Sequence, residues 1–464
     1  MTETLRLLKP KFCPPLDEDF RPAVLANRAF EAEVAAAGGA PLVLGIERQD
    51  GALARLETSV FLEDHPRAEA NLKYAERLVK FLLWQRGGWK VYVGGPGGVG
   101  SYIQHAYSPG GEREFDYHFM GEEVYEQPFT VVACAPGDVP PASECGQPLG
   151  RHLDGCRIGF DLGASDRKVS AVIEGQPVYS EEVIWEPRQQ TDPGYHYREI
   201  LAGIRSAAAR LPRVDAIGGS AAGIYINNRP MIASLFRGIP KERYGEIRSL
   251  FLRLRAELGV PLEVINDGDV TALAGAMSLE DTGILGVALG SSEAAGYVDL
   301  DGNLTGWLSE LAFAPVDYSP TAPVDEWSGD LGVGSQYFSQ QCVFRLAPRA
   351  GITIPAGITD ADKLKFVQEK LEAGHLGAAQ IWQSMGYYLG YGLAHYARFY
   401  PLKHVLILGR CTSGQGGQII LEGAREVLRA EFPDLAHIHI QLPDEKSRRV
   451  GQSIAVASLP KIGK

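Results

Sequence analysis

Apolar runs and amphipathic stretches alternate along this chain, and glycines stand at many of the points where one pattern gives way to the other. Short apolar runs bounded by turn residues predict strands, whereas apolar residues three or four positions apart predict helices. Near the amino terminus the pattern predicts strands in "APLVLGIERQDG" and "ARLETSVFL", a helix in "AEANLKYAERLVKFLLWQRGG", and a strand, glycine turn and helix in "WKVYVGGPGGVGSYIQHAY". We therefore expect residues 1–150 to fold as an α+β domain.

The stretch "APGDVPPASECGQPLGRHLDG" is rich in Pro and Gly and has no hydrophobic period, so it predicts a linker or a long loop. Beyond it, buried strands, glycine turns and crossover helices follow one another, as in "CRIGFDLGASDRKVSAVI", "VDAIGGSAAG", "PLEVINDGDVTALAGAM" and "HVLILGRCTSGQGG". This alternation is typical of an α/β fold, in which ligand-binding loops lie at the carboxyl ends of the strands.

Length and charge narrow the classes of protein to consider. A chain of 464 residues suggests about three domains. Its net charge of −12 argues against a nucleic-acid partner and an anionic membrane surface, because both need clusters of Lys and Arg. The amino terminus lacks an apolar signal segment, no run reaches the roughly 18 apolar residues of a membrane span, and the six cysteines form no CxxC pair. We expect a cytoplasmic protein.

Three turns carry the residue types of a site for phosphates and hydroxyl groups. They are Asp161-Leu162-Gly163-Ala164-Ser165, Asn266-Asp267-Gly268-Asp269 and Gly290-Ser291-Ser292. Glycines and small residues let backbone N–H groups approach an anion closely. A carboxylate at a strand end can act as a base toward a hydroxyl or hold a metal ion through water, whereas Asp269 is expected to cap the following helix. A fourth turn, at Gly409, is suited to the base and sugar of a nucleotide.

In this order the turns resemble those of the sugar kinase/actin/Hsp70 superfamily and, within it, of the ROK (repressor, ORF, kinase) family. The resemblance covers about residues 156–464 and is strongest in "VPLEVINDGDVTALAGA". It implies an α/β fold of two RNase-H-like (actin-like ATPase) lobes, here with an additional N-terminal α+β domain. The first lobe would span residues 156–275, with a C-terminal helix at 448–464 packing back onto it, and the second would span 276–447.

The resemblance also implies an activity, the ATP-dependent phosphorylation of a sugar hydroxyl. Asp267 would take the proton of that hydroxyl as it attacks the γ-phosphate of ATP. Asp161 would face the phosphates and hold Mg²⁺ through water. The remaining positions that it implies are the sugar-binding residues Asn266, Gly223 and Glu310, and the phosphate- or nucleotide-binding residues Gly163, Ala164, Ser165, Gly290, Ser291, Ser292 and Gly409.

The chain departs from the ROK pattern in several places. Ala312 and Phe313 stand where the family has Gly-His after the sugar-binding Glu, and the stretch "APVDYSPTAPVDEWSGDLGVGSQYF" has no cysteine where the family has a zinc loop. We therefore expect no structural zinc. Glu293 follows the second phosphate turn, Asp166 follows the first, and Arg410 replaces a common glycine after Gly409.

These departures leave a second interpretation open, that of a non-catalytic sugar-sensing or scaffold protein with the same fold. A ROK-type transcription regulator is a third. Against it, residues 1–150 hold 14 Lys and Arg but 21 Asp and Glu, and they show no helix-turn-helix with a basic second helix. We expect this segment to pack against the kinase lobes, to shape the substrate cleft or to make the contact of a homodimer.

The segment also holds a GxGxxG pattern at Gly95, Gly97 and Gly100, between a predicted strand and a predicted helix. The pattern by itself suggests dinucleotide binding. The residues that follow do not resemble the second strand of a dinucleotide-binding unit, so we interpret these glycines as structural.

Overall fold

The computed structural model describes residues 5–144, 149–443 and 445–462. The helices are α1 (Ala23–Ala37), α2 (Ala70–Arg86), α3 (Gly97–Ala106), α4 (Glu114–His118), α5 (Pro193–Ala208), α6 (Tyr244–Arg248), α7 (Leu250–Leu258), α8 (Asp267–Leu279), α9 (Gln340–Leu346), α10 (Asp360–Glu372), α11 (Leu376–Tyr396), α12 (Gln415–Glu431) and α13 (Glu445–Ala457).

The strands confirm the alternation that the apolar runs predicted. They are β1 (Ala40–Glu47), β2 (Leu53–Val60), β3 (Lys90–Gly94), β4 (Thr130–Cys134), β5 (Cys156–Leu162), β6 (Asp166–Ile173), β7 (Gln176–Ile184), β8 (Ala216–Ala221), β9 (Ile224–Ile226), β10 (Arg229–Ile232), β11 (Leu262–Asn266), β12 (Ile284–Leu289), β13 (Glu293–Val298), β14 (His404–Leu408) and β15 (His439–Gln441). Within the described residues, no helix is both long enough and apolar enough to cross a membrane.

The chain divides into two compact units. Unit one consists of Met1–Cys145, Val287–Ala294 and Trp307–Leu442, and unit two of Gly146–Gly286, Ala295–Gly306 and Pro443–Lys464. The first division falls inside the Pro- and Gly-rich stretch that predicted a linker. The amino-terminal segment lies in the same compact unit as residues 307–442. The division into an accessory domain and two lobes stays a prediction.

Unit two is built on a five-stranded sheet in the order β11-β8-β5-β6-β7. Strands β5, β6 and β7 form an antiparallel meander, and β8 and β11 continue the sheet in parallel to β5. Strands β5 and β8 are almost wholly buried, as expected for central strands covered on both faces. Because β5, β8 and β11 run in parallel, the turns that follow them lie at one edge of the sheet.

The helix α13 packs onto this sheet at two glycines. A Cβ atom on Gly218 would lie 1.7 Å from the carbonyl oxygen of Val456, and one on Gly159 would lie 2.9 Å from that of Ser453. The helix backbone therefore approaches the strands too closely for a side chain. The helix predicted at 448–464 begins earlier and ends at Ala457, and residues 458–462 are not helical.

One four-stranded sheet lies wholly in unit one and has the strand order β2-β1-β3-β4. A second four-stranded sheet has the order β13-β12-β14-β15, and the chain passes from one unit to the other within β12 and within β13. In the first sheet, α3 packs against β4 through Gly100, whose Cβ would lie 2.6 Å from that of Ala133. Close packing thus accounts for the last glycine of the GxGxxG pattern.

The helix α2 of unit one is buried on nearly all sides although it carries several charges. Its charged side chains join a buried ion network whose members are Glu76, Arg77, Lys80, Arg113, Asp116 and Asp330. Arg113 lies 2.7 Å and Arg77 3.1 Å from the carboxylate of Asp330, and Lys80 lies 2.9 Å from Asp116. The network joins the amino-terminal segment to the loop that contains Asp330.

Candidate functional site

The first predicted turn follows β5 in unit two. Asp161 pairs in register with Ser220 of β8 and with Lys168 of β6. Its carboxylate is half-buried and hydrogen-bonded to the Ser220 side chain. Burial raises the pKa of Asp161, whereas the Ser220 hydrogen bond and the charge of Lys168 act in the opposite direction.

The turn itself is closed by hydrogen bonds. The Gly163 N–H donates to the carbonyl of Asp166 over 2.9 Å, and the Trp185 indole donates to the carbonyl of Gly163 over 2.8 Å. Ala164 and Ser165 are exposed at its tip. The Ser165 hydroxyl donates to the Asp166 carboxylate (3.1 Å), which also pairs with Lys168 (3.2 Å). The charge of Asp166 is therefore partly offset by a neighbouring lysine.

The second predicted turn joins β11 to α8, also in unit two. Asn266 is the N-cap of the helix, because its Oδ1 accepts the N–H of Gly268 over 2.7 Å. Its Nδ2 donates to the carbonyl of Gly223 over 2.7 Å, so two of the predicted sugar-binding residues contact each other. Asp267 is the first residue of α8, and its carboxylate lies at the positive end of the helix dipole.

The prediction that Asp269 caps α8 is wrong, because the helix begins two residues earlier and Asn266 fills that position. The Asp269 carboxylate instead accepts a hydrogen bond from the backbone of Tyr297. Burial, to which the charge of Asp267 adds, raises its pKa to about 7. The sequence placed Asp269 at the right turn but could not show which side chain would start the helix.

The structure brings Asp161 and Asp267 together. Burial and, after it, the negative charge of Asp161 raise the pKa of Asp267 to about 6, against hydrogen bonds from the backbone of Gly268 and of Asp267 itself. A carboxyl group with a pKa near neutrality beside a second carboxylate can accept a proton from an alcohol. The role of Asp267 as a base stays a prediction.

Tyr225 of β9 is a neighbour of this pair that the sequence did not single out. Burial raises the pKa of its hydroxyl far above the usual value, and the charges of Asp267 and, more weakly, Asp161 add to the effect. Among the described residues, its buried hydroxyl oxygen has no hydrogen-bond partner. Its position two residues after Gly223 was the available signal.

The third and fourth turns lie in unit one. The Gly290 N–H donates to the carbonyl of Ser292 over 3.0 Å, and both Ser291 and Ser292 are exposed. Gly409 has a φ of 101°, and a Cβ atom there would lie 2.4 Å from the carbonyl oxygen of Leu289. Only glycine fits this approach, which places the turn of Gly409 beside the strand that leads into Gly290.

Glu310, the third predicted sugar-binding residue, also lies in unit one and precedes a short 3₁₀ turn. The charge of Glu310 acts on Glu293, whose side chain is 2% exposed. Tyr396 donates its hydroxyl to Glu293 Oε1 over 3.1 Å, and Oε2 has no hydrogen-bond partner among the described residues. Burial raises the pKa of Glu293 to about 8, with a smaller contribution from Glu310.

The acidic residues of unit two fit a Mg²⁺ ion that keeps most of its water ligands. In the part of the chain that the structure describes, no three His, Cys, Asp or Glu side chains are grouped to hold a metal ion directly. Magnesium in phosphoryl-transfer sites commonly keeps several waters and uses one or two carboxylates besides the substrate phosphates. The carboxylate of Asp161 fits that mode of binding, in which one carboxylate is sufficient.

Comparisons with known proteins show the fold. No protein-family model and no curated protein sequence matches the chain. A ROK family transcriptional regulator, homologous to the E. coli MLC protein, matches with a TM-score of 0.52 and 17% identity over 66% of this chain and 79% of its own. A ROK hexokinase from Thermus thermophilus matches with a TM-score of 0.50 and 17% identity over 65% of this chain and 97% of its own.

A ROK family glucokinase from Streptomyces griseus, solved with glucose and AMPPNP, matches with a TM-score of 0.47 and 18% identity over 64% of this chain and 98% of its own. The first two matches confirm the predicted fold class. They do not decide the function, because one is an enzyme and the other a regulator.

Proposed function

We propose that this chain, whose fold is that of the ROK proteins, is an ATP-dependent carbohydrate kinase. The observation that carries the proposal is the pair of neighbouring carboxylates, Asp161 and Asp267, at the ends of parallel strands of unit two. Burial and the charge of Asp161 both raise the pKa of Asp267, whereas the buried acids of unit one lie against Arg and Lys side chains. Perturbed acids at strand ends are typical of catalytic sites.

In the proposed reaction Asp267 is the general base. Its raised pKa of about 6 keeps it mostly ionised at neutral pH while making it a better proton acceptor than an ordinary aspartate. It takes the proton of the attacking sugar hydroxyl, and the hydroxyl oxygen forms the new bond to phosphorus as the bond to the leaving phosphate breaks. Asn266, held by Gly223 and Gly268, has a fixed side-chain orientation next to this base.

The nucleotide and its metal ion belong to the same proposal. Asp161 would hold Mg²⁺ through water, with the backbone of Gly163, Ala164 and Ser165 beside the phosphates. Bound Mg²⁺ supplies neutralisation of the phosphate charge. Unit one has candidate nucleotide-binding turns of its own, one at Gly290, Ser291 and Ser292 and one at Gly409.

A panel of neutral and amino sugars, each assayed for ADP release from Mg-ATP, tests the proposal. We expect release with at least one sugar, and release slower by at least roughly a hundredfold with the Asp267→Asn variant. Titration calorimetry with Mg-ATP provides a second test that does not require the right sugar. Absence of both ADP release and nucleotide binding would contradict the kinase.

A specific observation favours a second candidate, a sugar-binding protein without phosphoryl transfer. The first phosphate turn carries the carboxylate of Asp166, which accepts the Ser165 hydroxyl. A negative charge at this turn opposes phosphate binding, and Lys168 offsets that charge only in part. Sugar binding without nucleotide binding in the same calorimetric series would support this candidate.

A further inference from the structure

The last backbone carbonyls of α2 in unit one have unusual hydrogen-bond partners. The last four carbonyls of a helix have no partner within the helix. In α2 the carbonyl of Leu83 accepts the N–H of Gly87 over 2.8 Å, which is a common helix ending. The other three carbonyls accept hydrogen bonds from a distant segment of the chain.

That segment is residues 308–310, which contains the predicted sugar-binding carboxylate. The N–H of Glu310 donates to the carbonyl of Trp84 over 2.9 Å, that of Ser309 to Gln85 over 2.8 Å, and that of Leu308 to Arg86 over 3.3 Å. Three consecutive N–H groups thus bind three consecutive carbonyls. Ser309 has a φ of 49°, a left-handed conformation that a non-glycine residue adopts only when its surroundings impose it.

Side chains reinforce this contact. The guanidinium group of Arg86 lies 3.3 Å from the centroid of the Trp307 ring, immediately before the segment. Arg86 also pairs with Glu144 over 2.8 Å and donates to the carbonyl of Phe399 over 3.2 Å. The guanidinium group is therefore held over the face of the indole ring, where a lysine ammonium could not stack in the same way.

The helix that provides these carbonyls is itself firmly anchored. Trp84 donates its indole N–H to Asp116 over 2.7 Å, within the buried ion network. The Gln85 side chain is fully buried and donates to the carbonyl of Phe399 over 3.0 Å. A helix end held at so many points is a rigid support for the backbone that it binds.

We propose that the carboxyl end of α2 is a positioning element for Glu310, and that Arg86 is the positioning residue that holds Trp307 and the segment 308–310 against it. The amino-terminal segment of the chain thereby sets the position of a proposed sugar-binding carboxylate within its own unit. The inference rests on the proposed function for the role of Glu310, but the contact itself does not depend on that function.

The test compares Arg86→Ala with Arg28→Ala as a matched control. Arg28 lies in the same unit, stacks on Phe432 at 4.7 Å and pairs with Asp434, but it has no contact with residues 308–310. In Arg86→Ala we expect the KM for the sugar to rise roughly tenfold while kcat stays within about twofold, as for the loss of an interaction that is equally strong in the ground state and the transition state. Arg86→Lys keeps a charge for Glu144 but loses the stacking, so we expect an intermediate KM. Arg28→Ala is expected to leave both constants unchanged.

Hydrogen exchange of the amides of residues 308–310 gives a readout that needs no sugar. We expect slow exchange in the wild type and in Arg28→Ala, and faster exchange in Arg86→Ala. Unchanged exchange in Arg86→Ala would overturn the role of Arg86, and faster exchange with an unchanged KM would overturn the positioning of Glu310. A wild type that binds no sugar would refute the proposed function, and the exchange rates would still decide whether Arg86 holds the segment.

Discussion

Two regions of this protein bury carboxylates, and they do so in opposite ways. In the ion network of unit one, burial alone would raise the pKa values of Glu76 and Asp330, but the charges of Arg77 and Arg113 hold both well below their usual range. In unit two, Asp267 has Asp161 for a neighbour, and burial with this second negative charge raises its pKa to about 6.

The difference separates a structural use of acids from a chemical one. A buried carboxylate with cations around it stays ionised and fixes the elements that it joins. A buried carboxylate without a cation keeps a proton affinity close to that needed at neutral pH, and it therefore can exchange a proton with a substrate. Four predictions follow from this contrast.

The largest expected effect is on turnover. Asp267→Asn removes the proton acceptor but keeps the size of the side chain, so we expect kcat to fall by roughly 10²–10⁴-fold. Asp301→Asn, at an exposed turn of the same unit, is the control and should leave kcat unchanged. Circular dichroism checks that both variants fold. A wild-type rate in Asp267→Asn would show that this acid is not the base.

The next effect is on stability. Asp330→Asn leaves Arg77 and Arg113 buried without their shared carboxylate, and we expect the free energy of unfolding to fall by about 3–5 kcal/mol. The loss should persist from neutral pH down to about pH 4 and shrink below it, because the native pKa of Asp330 is lowered.

The control for Asp330→Asn is Asp360→Asn, which breaks a surface pair with Lys363 and should cost at most about 1 kcal/mol. Urea denaturation measures both variants. Equal losses in the two variants would remove the distinction between the buried network and an ordinary surface pair.

Glu293 provides the same contrast within unit one. Unlike Glu76 and Asp330, it is a buried acid whose pKa is raised. Its native pKa is raised from 4.5 to about 8. Between these pH values the native protein keeps a proton that the unfolded chain has lost, so the wild type loses stability as the pH rises. The side chain of Glu293→Gln cannot ionise. As the pH rises across this window, the free energy of unfolding of this variant should therefore increase relative to that of the wild type by up to about 1.4 kcal/mol per pH unit. A constant difference between the two proteins from pH 5 to pH 8 would contradict a protonated Glu293.

The smallest effect is the pH dependence of the reaction. Because the base must be ionised, kcat/KM should fall as the pH drops below about 6, by at most tenfold per pH unit. A profile that is flat between pH 5 and pH 8 would contradict the raised pKa of Asp267. Unfolding measured over the same range distinguishes loss of the base from loss of the fold.

The sequence predicted much of the fold because that information is local. The apolar runs at β5, β8 and β11 and the glycines that end α2 and α7 indicate strands and helices through backbone preferences alone. The error at Asp269 was also local: Asn266 and Asp269 are both acceptable caps, and the choice depended on the Gly223 carbonyl, which the fold brings to Asn266.

The sequence by itself determined the α/β alternation, the order of the turns and the presence of Asp161 and Asp267 at strand ends. Only the tertiary structure decided which acids are paired with cations, because Asp330 is 253 positions from Arg77 and no periodicity links them. For the same reason, only the tertiary structure showed that the carboxyl end of α2 binds the backbone of Glu310. Hydrogen bonds and charges act through space, and their partners are set by the packing of the whole chain.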